Sequence, residues 1–146
     1  MTKVWGPIAW YMMHTLASRV NPQFYQNNRE TFVNIIKNIC AGLPCPICKA
    51  HAVKYVRNLS IRHVPTKEHF KQYLKAFHNN VNKLTNKPIV EDISKYDHFN
   101  IFLVFRSFLN LFTYRRYSHQ FIESMRRRKV SDEIRKLIYG NQKMFQ

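Results

Sequence analysis

The feature that most constrains the fold is the break at residues 42–46, Gly-Leu-Pro-Cys-Pro. Prolines at 44 and 46 cannot continue a helix arriving from upstream, because each lacks a backbone N–H and restricts the residue before it. Pro46 suits the first turn of a new helix, where no N–H is needed. The apolar positions Phe32, Ile35, Ile36 and Ile39 predict a helix from about Glu30 to Ala41 that stops at Gly42. A second helix is predicted from Pro46 through Leu59. The chain therefore reads helix, sharp turn, helix, with Cys45 and Cys48 in the first turn of the second.

The rest of the sequence repeats the helical period. Pro7 fits the first turn of a helix in which Ile8, Met12, Leu16 and Val20 recur every four residues, and Asn21-Pro22 ends it. Thr66 is a candidate N-cap for a helix to Asn86, closed by Lys87-Pro88, and a short helix is expected over Val90–Lys95. An aromatic-aliphatic helix follows at 98–114, and Ser131 before Asp132 and Glu133 reads as the cap of a terminal helix. Three glycines and six prolines are too few for an all-β fold full of tight turns. The expected fold class is all-α: a four-helix bundle plus a short fifth helix over residues 1–95, with additional C-terminal helices over 96–146 packed on it.

The net charge of +16 predicts attraction to something anionic. "YRRYSHQ" (114–120) and "MRRRK" (125–129) interleave aromatic rings with arginine, which suits a nucleic-acid contact through the basic C-terminal segment. The run Arg126–Lys129 equally reads as a solvated stretch at a helix end. No stretch reaches the roughly 18–20 apolar residues of a membrane span; "FNIFLVFRSFLNLF" comes nearest and is interrupted by Arg106. No secretory signal pattern opens the chain. Three cysteines would leave one over in a disulfide-stapled domain, so a reducing, cytoplasmic compartment is expected.

Two clusters carry chemistry. Cys40, Cys45, Cys48 and His51 have zinc-ligand types, but all four fall within twelve residues, whereas a structural zinc site draws on two separated pairs. The alternative is a redox couple, in which the N-terminal end of a helix stabilises thiolate, helped by Lys49 and His51. Cys40, in the preceding helix, reads as a small buried hydrophobe. A thioredoxin-like fold would need a strand immediately before the motif, and a helix is predicted there. In "FHNNVNKLTNKP" (77–88), helical spacing puts His78, Val81 and Asn82 on one face with Asn79 and Lys83 at its edge. Such a face suits a flat heteroaromatic ligand, with Lys83 or Lys87 for a phosphate, or else is a solvated surface. Trp10 and His14 are i, i+4 neighbours, preceded by Trp5-Gly6.

Together "WGPIAWYMMH", "LPCPICKAHAVKYV" and "FHNNVNKLTNKP" resemble the Erv/ALR family of flavin-linked sulfhydryl oxidases, most of all its compact forms from large DNA viruses. The resemblance covers about residues 3–95. It implies a helical bundle binding FAD, a homodimer, and dithiol proteins or a thioredoxin-like carrier as partners. By position it implies Cys48 as the thiol against the flavin and Cys45 as the one exchanging with substrate. It places Gly6, Trp10, His14, His51, Tyr55, His78, Asn79, Val81, Asn82 and Lys87 against the cofactor, with Lys83 and Lys95 as further candidates for its phosphates. A viral source would put the protein in the host cytoplasm and the virion. The second, shuttle cysteine pair of many relatives has no counterpart here, so electrons would arrive directly at Cys45–Cys48. Residues 96–146 lie outside the resemblance. The competing reading is a basic nucleic-acid-binding or scaffold protein with a Cys3His zinc site.

Overall fold

The structure, a computed structural model, describes residues 2–113 and 121–146, with side chains from Gly6 onward. Among the described residues there are seven helices: α1 Thr2–Arg19, α2 Pro22–Asn27, α3 Arg29–Ala41, α4 Pro46–Val56, α5 Lys67–Leu84, α6 Ile101–Phe112 and α7 Phe121–Tyr139. Short 3-10 turns lie at Ile61–His63, Ser94–His98 and Gln142–Phe145, and no strand occurs among the described residues, so the fold is all-α as expected. Helix α1 packs against α5 on one side and most extensively against α6 on another, while α3 lies between α4 and α7.

The apolar periodicity explains this packing. Met12, Leu16, Ala17 and Val20 of α1 and Phe32, Ile35, Ile36 and Ile39 of α3 are buried in one cluster. Phe105, Phe108 and Phe112 of α6 and Val130, Ile134 and Ile138 of α7 complete the same cluster. Each of these side chains larger than alanine contributes roughly 1.5–3 kcal/mol on leaving water. Thr66 caps α5 as expected, its side chain accepting the His69 N–H. Among the described residues no helix is long and apolar enough to cross a membrane.

Three expectations are corrected and one is extended. Helix α1 starts at Thr2, so Pro7 lies inside it instead of opening it. Asn21-Pro22 ends α1 but also starts α2, because the Asn21 side chain accepts the N–H groups of Gln23 and Phe24. Residues 90–93 are not helical, and the turn comes later, at Ser94–His98. Ser131 is no cap. It is buried in mid-α7, where its hydroxyl donates to the Arg127 carbonyl one turn back, an alternative to capping open to any serine.

The basic run Arg126–Lys129 is likewise in mid-helix and not at a helix end. Two of its members nevertheless meet a helix terminus, that of α3: Arg126 donates to the Ala41 carbonyl and Arg127 to that of Gly42. "YRRYSHQ", the other half of the expected nucleic-acid contact, lies outside the described residues.

Candidate functional site

Cys45 is the N-cap of α4, with Pro46 in the first helical position. Its backbone is extended, and its sulfur accepts the Cys48 N–H at 3.3 Å, one of the donors a helix start leaves without an internal partner. Cys48, one turn in, faces a cavity of about 400 Å³ that Cys45 does not line. The Cys48 thiol is pushed up to about 11, first by burial and then by its hydrogen bond with Cys45 and that sulfur's charge. Lys87 pulls the other way. Burial thus outweighs the helix-terminus effect at the inner sulfur, contrary to the simple dipole expectation.

The opposite wall comes from α5. His78, Val81 and Asn82 share one face and all line the cavity, as their spacing predicts. The chain then turns sharply. Asn86 adopts φ 56°, the left-handed region that asparagine tolerates better than most residues. This lets the Lys87 N–H reach back to the Asn82 carbonyl at 2.8 Å, a Schellman closure of α5. The Asn82 side chain donates to the Pro88 carbonyl at 3.0 Å, fixing the strand of chain that carries Lys87 to the cavity rim.

Helix α1 supplies the aromatic floor. The Trp10 ring stacks on His78 with centroids 4.0 Å apart and planes 7° from parallel, and meets Phe77 edge-on. His14 stands behind His78, its Nε2 2.9 Å from His78 Nδ1, so one imidazole donates to the other and His78 keeps Nε2 as its second polar atom. Burial, aided by the His78 charge and Lys95, lowers His14 to about 3. Burial with Lys95 and Lys87 lowers His78 to about 4. Both rings are therefore neutral near pH 7 and act as hydrogen-bonding groups, not as cations.

Of the residues expected to touch a ligand, Gly6, Trp10, His51, His78, Val81, Asn82 and Lys87 line the cavity together with Cys48, as does Lys95. Four do not. His14 is buried behind His78, Tyr55 stacks on Phe77 at 4.7 Å, and Lys83 is exposed on the outer side of α5. Asn79 uses both ends of its amide on Val90, donating to its carbonyl at 2.9 Å and accepting its N–H at 2.7 Å. It anchors the loop after α5 and so acts on the cavity at one remove.

Several wall residues escape sequence reasoning. Tyr96 comes from the 3-10 turn, stacks on His14 at 4.6 Å, and has no periodicity linking it to the helices it meets. Met13 was legible as the next residue but two after Trp10 in a helix. Cys40 lines the cavity too, although its thiol is buried and pushed up to about 12. Cys40, Cys45, Cys48 and His51 do not converge: among the described residues no group of three or more His, Cys, Asp or Glu side chains could hold a metal ion.

The arrangement pairs one sulfur inside an aromatic-walled cavity with a second at its outer lip. The polar groups inside are few and fixed, and two lysines stand at the rim. A model of the Erv1 / Alr family matches residues 7–100. The chain is 33% identical over 86 residues to the "FAD-linked sulfhydryl oxidase" of African swine fever virus, covering 59% of this chain and 71% of that one. The "Putative FAD-linked sulfhydryl oxidase 096R" of Invertebrate iridescent virus 3 is 32% identical over 87 residues, 59% of each chain. No solved structure matches the chain.

Proposed function

Because the chain belongs to the Erv1 / Alr family, we propose that it is an FAD-linked sulfhydryl oxidase, which forms disulfides in protein dithiols through Cys45 and Cys48. The observation that carries this reading is the division of the pair, with Cys48 in the cavity wall and Cys45 outside it. Residues 1–95 form the oxidase unit in this reading and 96–146 a helical extension of it.

The cavity fits the flavin. Its volume of about 400 Å³ lies within the range of roughly 300–1,000 Å³ usual for small-molecule sites. Trp10, Tyr11, Phe77 and Tyr96 offer flat apolar surface, and His51, His78 and Asn82 offer hydrogen-bonding groups to a ring system or ribose. Lys87 and Lys95 are placed for the phosphates. Gly6 lines the wall where an added Cβ would meet no protein atom within 4 Å, leaving open space for a ligand. Bound there, FAD would supply a two-electron acceptor able to pass its electrons to dioxygen and so yield hydrogen peroxide.

The chain's own residues do the sulfur chemistry. A substrate thiolate attacks the Cys45 sulfur of the oxidised pair; a substrate–Cys45 bond forms, the Cys45–Cys48 bond breaks, and Cys48 takes the electron pair. The second substrate thiolate attacks the substrate sulfur of this mixed disulfide and expels Cys45. The substrate leaves oxidised, and the pair is reduced by two electrons and holds two protons. Those electrons leave through Cys48, the sulfur in the cavity wall, as the pair re-forms its disulfide and sheds both protons. Lys87 stabilises the Cys48 thiolate that this requires. Oxygen uptake with dithiothreitol tests the reading. Steady consumption, lost in Cys45→Ser and Cys48→Ser while both variants keep bound flavin, is the expected result; undiminished consumption in either variant overturns it.

A further inference from the structure

Three contacts from α7, a helix outside residues 7–100, converge on the loop that carries the two cysteines. Arg127, only 2% exposed, donates through Nη1 to the Gly42 carbonyl at 2.8 Å. Arg126 reaches the neighbouring Ala41 carbonyl at 3.4 Å. On the far side of the loop, Glu123 pairs with Lys49 at 3.2 Å. The redox segment is thus held at both ends, three residues before Cys45 and one residue after Cys48. The loop also packs on α6 and α7 with no room to spare. A Cβ at Gly42 would lie 2.7 Å from Phe112 Cζ and 3.2 Å from Arg127 Cγ.

Electrostatics gives the arrangement a consequence beyond packing. The last carbonyls of α3 carry the negative end of its dipole, and they lie beside the segment on which thiolate must form. A buried guanidinium on those carbonyls offsets that negative end. Burial lowers the Arg127 guanidinium from its usual value, and the Glu123 charge works against that lowering. Anchoring the loop also keeps Cys48 in the cavity wall and Cys45 at the lip.

We propose that Arg127 is a positioning residue for the Cys45–Cys48 couple, and that α7 acts as a strap whose Arg127 and Glu123 set the redox poise of the pair. The inference rests on the sulfhydryl-oxidase reading and extends it to a part of the chain that the family match does not reach. Cys48 is a protonated thiol near neutral pH, so the strap acts on the pair through its anchor: once the loop is freed, Cys45 and Cys48 meet less often, which makes the disulfide less stable and the couple less reducing.

The test is the thiol–disulfide equilibrium of the full-length protein against a glutathione redox buffer, read by mass spectrometry of trapped Cys45 and Cys48. Arg127→Met is expected to shift that equilibrium about tenfold towards the dithiol, about 30 mV in the two-electron couple. Arg127→Lys, which keeps a cationic donor for the Gly42 carbonyl, is expected to restore at least half of the shift. Val130→Ala, a buried control on the same helix, should lower the melting temperature and leave the equilibrium in place. An unchanged equilibrium in Arg127→Met, no restoration by lysine, or an equal shift in Val130→Ala overturns the proposal. Should Arg127→Met not fold, the surface double variant Arg126→Gln/Glu123→Gln takes its place: a shift in the same direction supports the strap and none overturns it. If the wild-type chain forms no Cys45–Cys48 disulfide at any ratio, the oxidase reading itself fails, a separate result from either outcome for Arg127.

Discussion

The cavity walls on α1, α4 and α5 and the outer layer of α6 and α7 bury very different groups. Around the cavity, polar side chains are taken out of water and paired: His14 with His78, Asn82 with the Pro88 carbonyl, Asn79 with Val90. In α6 and α7 the buried surface is mainly aromatic and aliphatic, with Phe105, Phe108, Phe112, Ile134 and Ile138 against α1 and α3, and Arg127 and Ser131 are the polar exceptions among the described residues. Buried polar groups contribute little net stability even when satisfied, since each exchanges water for a protein partner. Apolar burial is what stabilises a chain of this size. The difference teaches that the C-terminal layer supplies much of the stability that the cavity spends on fixing its polar groups.

That contrast can be broken most sharply at the sulfurs. Cys48→Ser should reduce dithiol oxidation at least a hundredfold, about 2.7 kcal/mol on the barrier, with the melting temperature nearly unchanged. Phe108→Ala should do the reverse. The ring is buried and stacked on Phe112 at 4.6 Å, so its loss should cost about 3–5 kcal/mol in denaturant unfolding, while folded protein keeps its turnover.

Acid separates the two layers by another route. His14 and His78 bind their protons far more weakly when folded than at their usual value of 6.5. The unfolded chain therefore takes up protons first, and stability falls as pH drops below 6.5 towards 4. The loss is at most about 1.4 kcal/mol per pH unit for each ring. Melting curves between pH 7 and pH 5 should show this fall, and His78→Gln should reduce it. Cys40→Ala is a smaller perturbation. The thiol lines the cavity but stays protonated well beyond neutral pH, so turnover should remain within about twofold of wild type. The loop after α5 offers a separate test at Asn86. Changing it to valine should destabilise by about 1–2 kcal/mol because of its left-handed backbone, whereas glycine should be nearly neutral.

Much of the cavity was legible in the sequence because its ligands sit on helices with a fixed period. His78, Val81 and Asn82 had to share a face, and Trp10 had to lie one turn from His14 on the first helix. Gly42, Pro46 and Thr66 marked boundaries through local backbone chemistry, and the structure places them so. What escaped was non-local or ambiguous at short range. Tyr96 reaches the cavity from a 3-10 turn that no helical pattern foretells. Ser131 has the composition of a cap, but a serine hydroxyl can equally bond a carbonyl in mid-helix, and burial of α7 on α3 decided the matter. The arginines at 126 and 127 read as surface charge because their partners, the carbonyls of Ala41 and Gly42, lie 85 residues away in sequence.

The central claim is that a flavin occupies the cavity against Cys48. The most direct measurement is the visible absorbance of the freshly purified protein, taken before and after dithiothreitol without air and again on admitting air. A flavin spectrum that bleaches with dithiothreitol and returns with oxygen is the expected result. A folded protein that is colourless and takes up no added FAD would contradict the account.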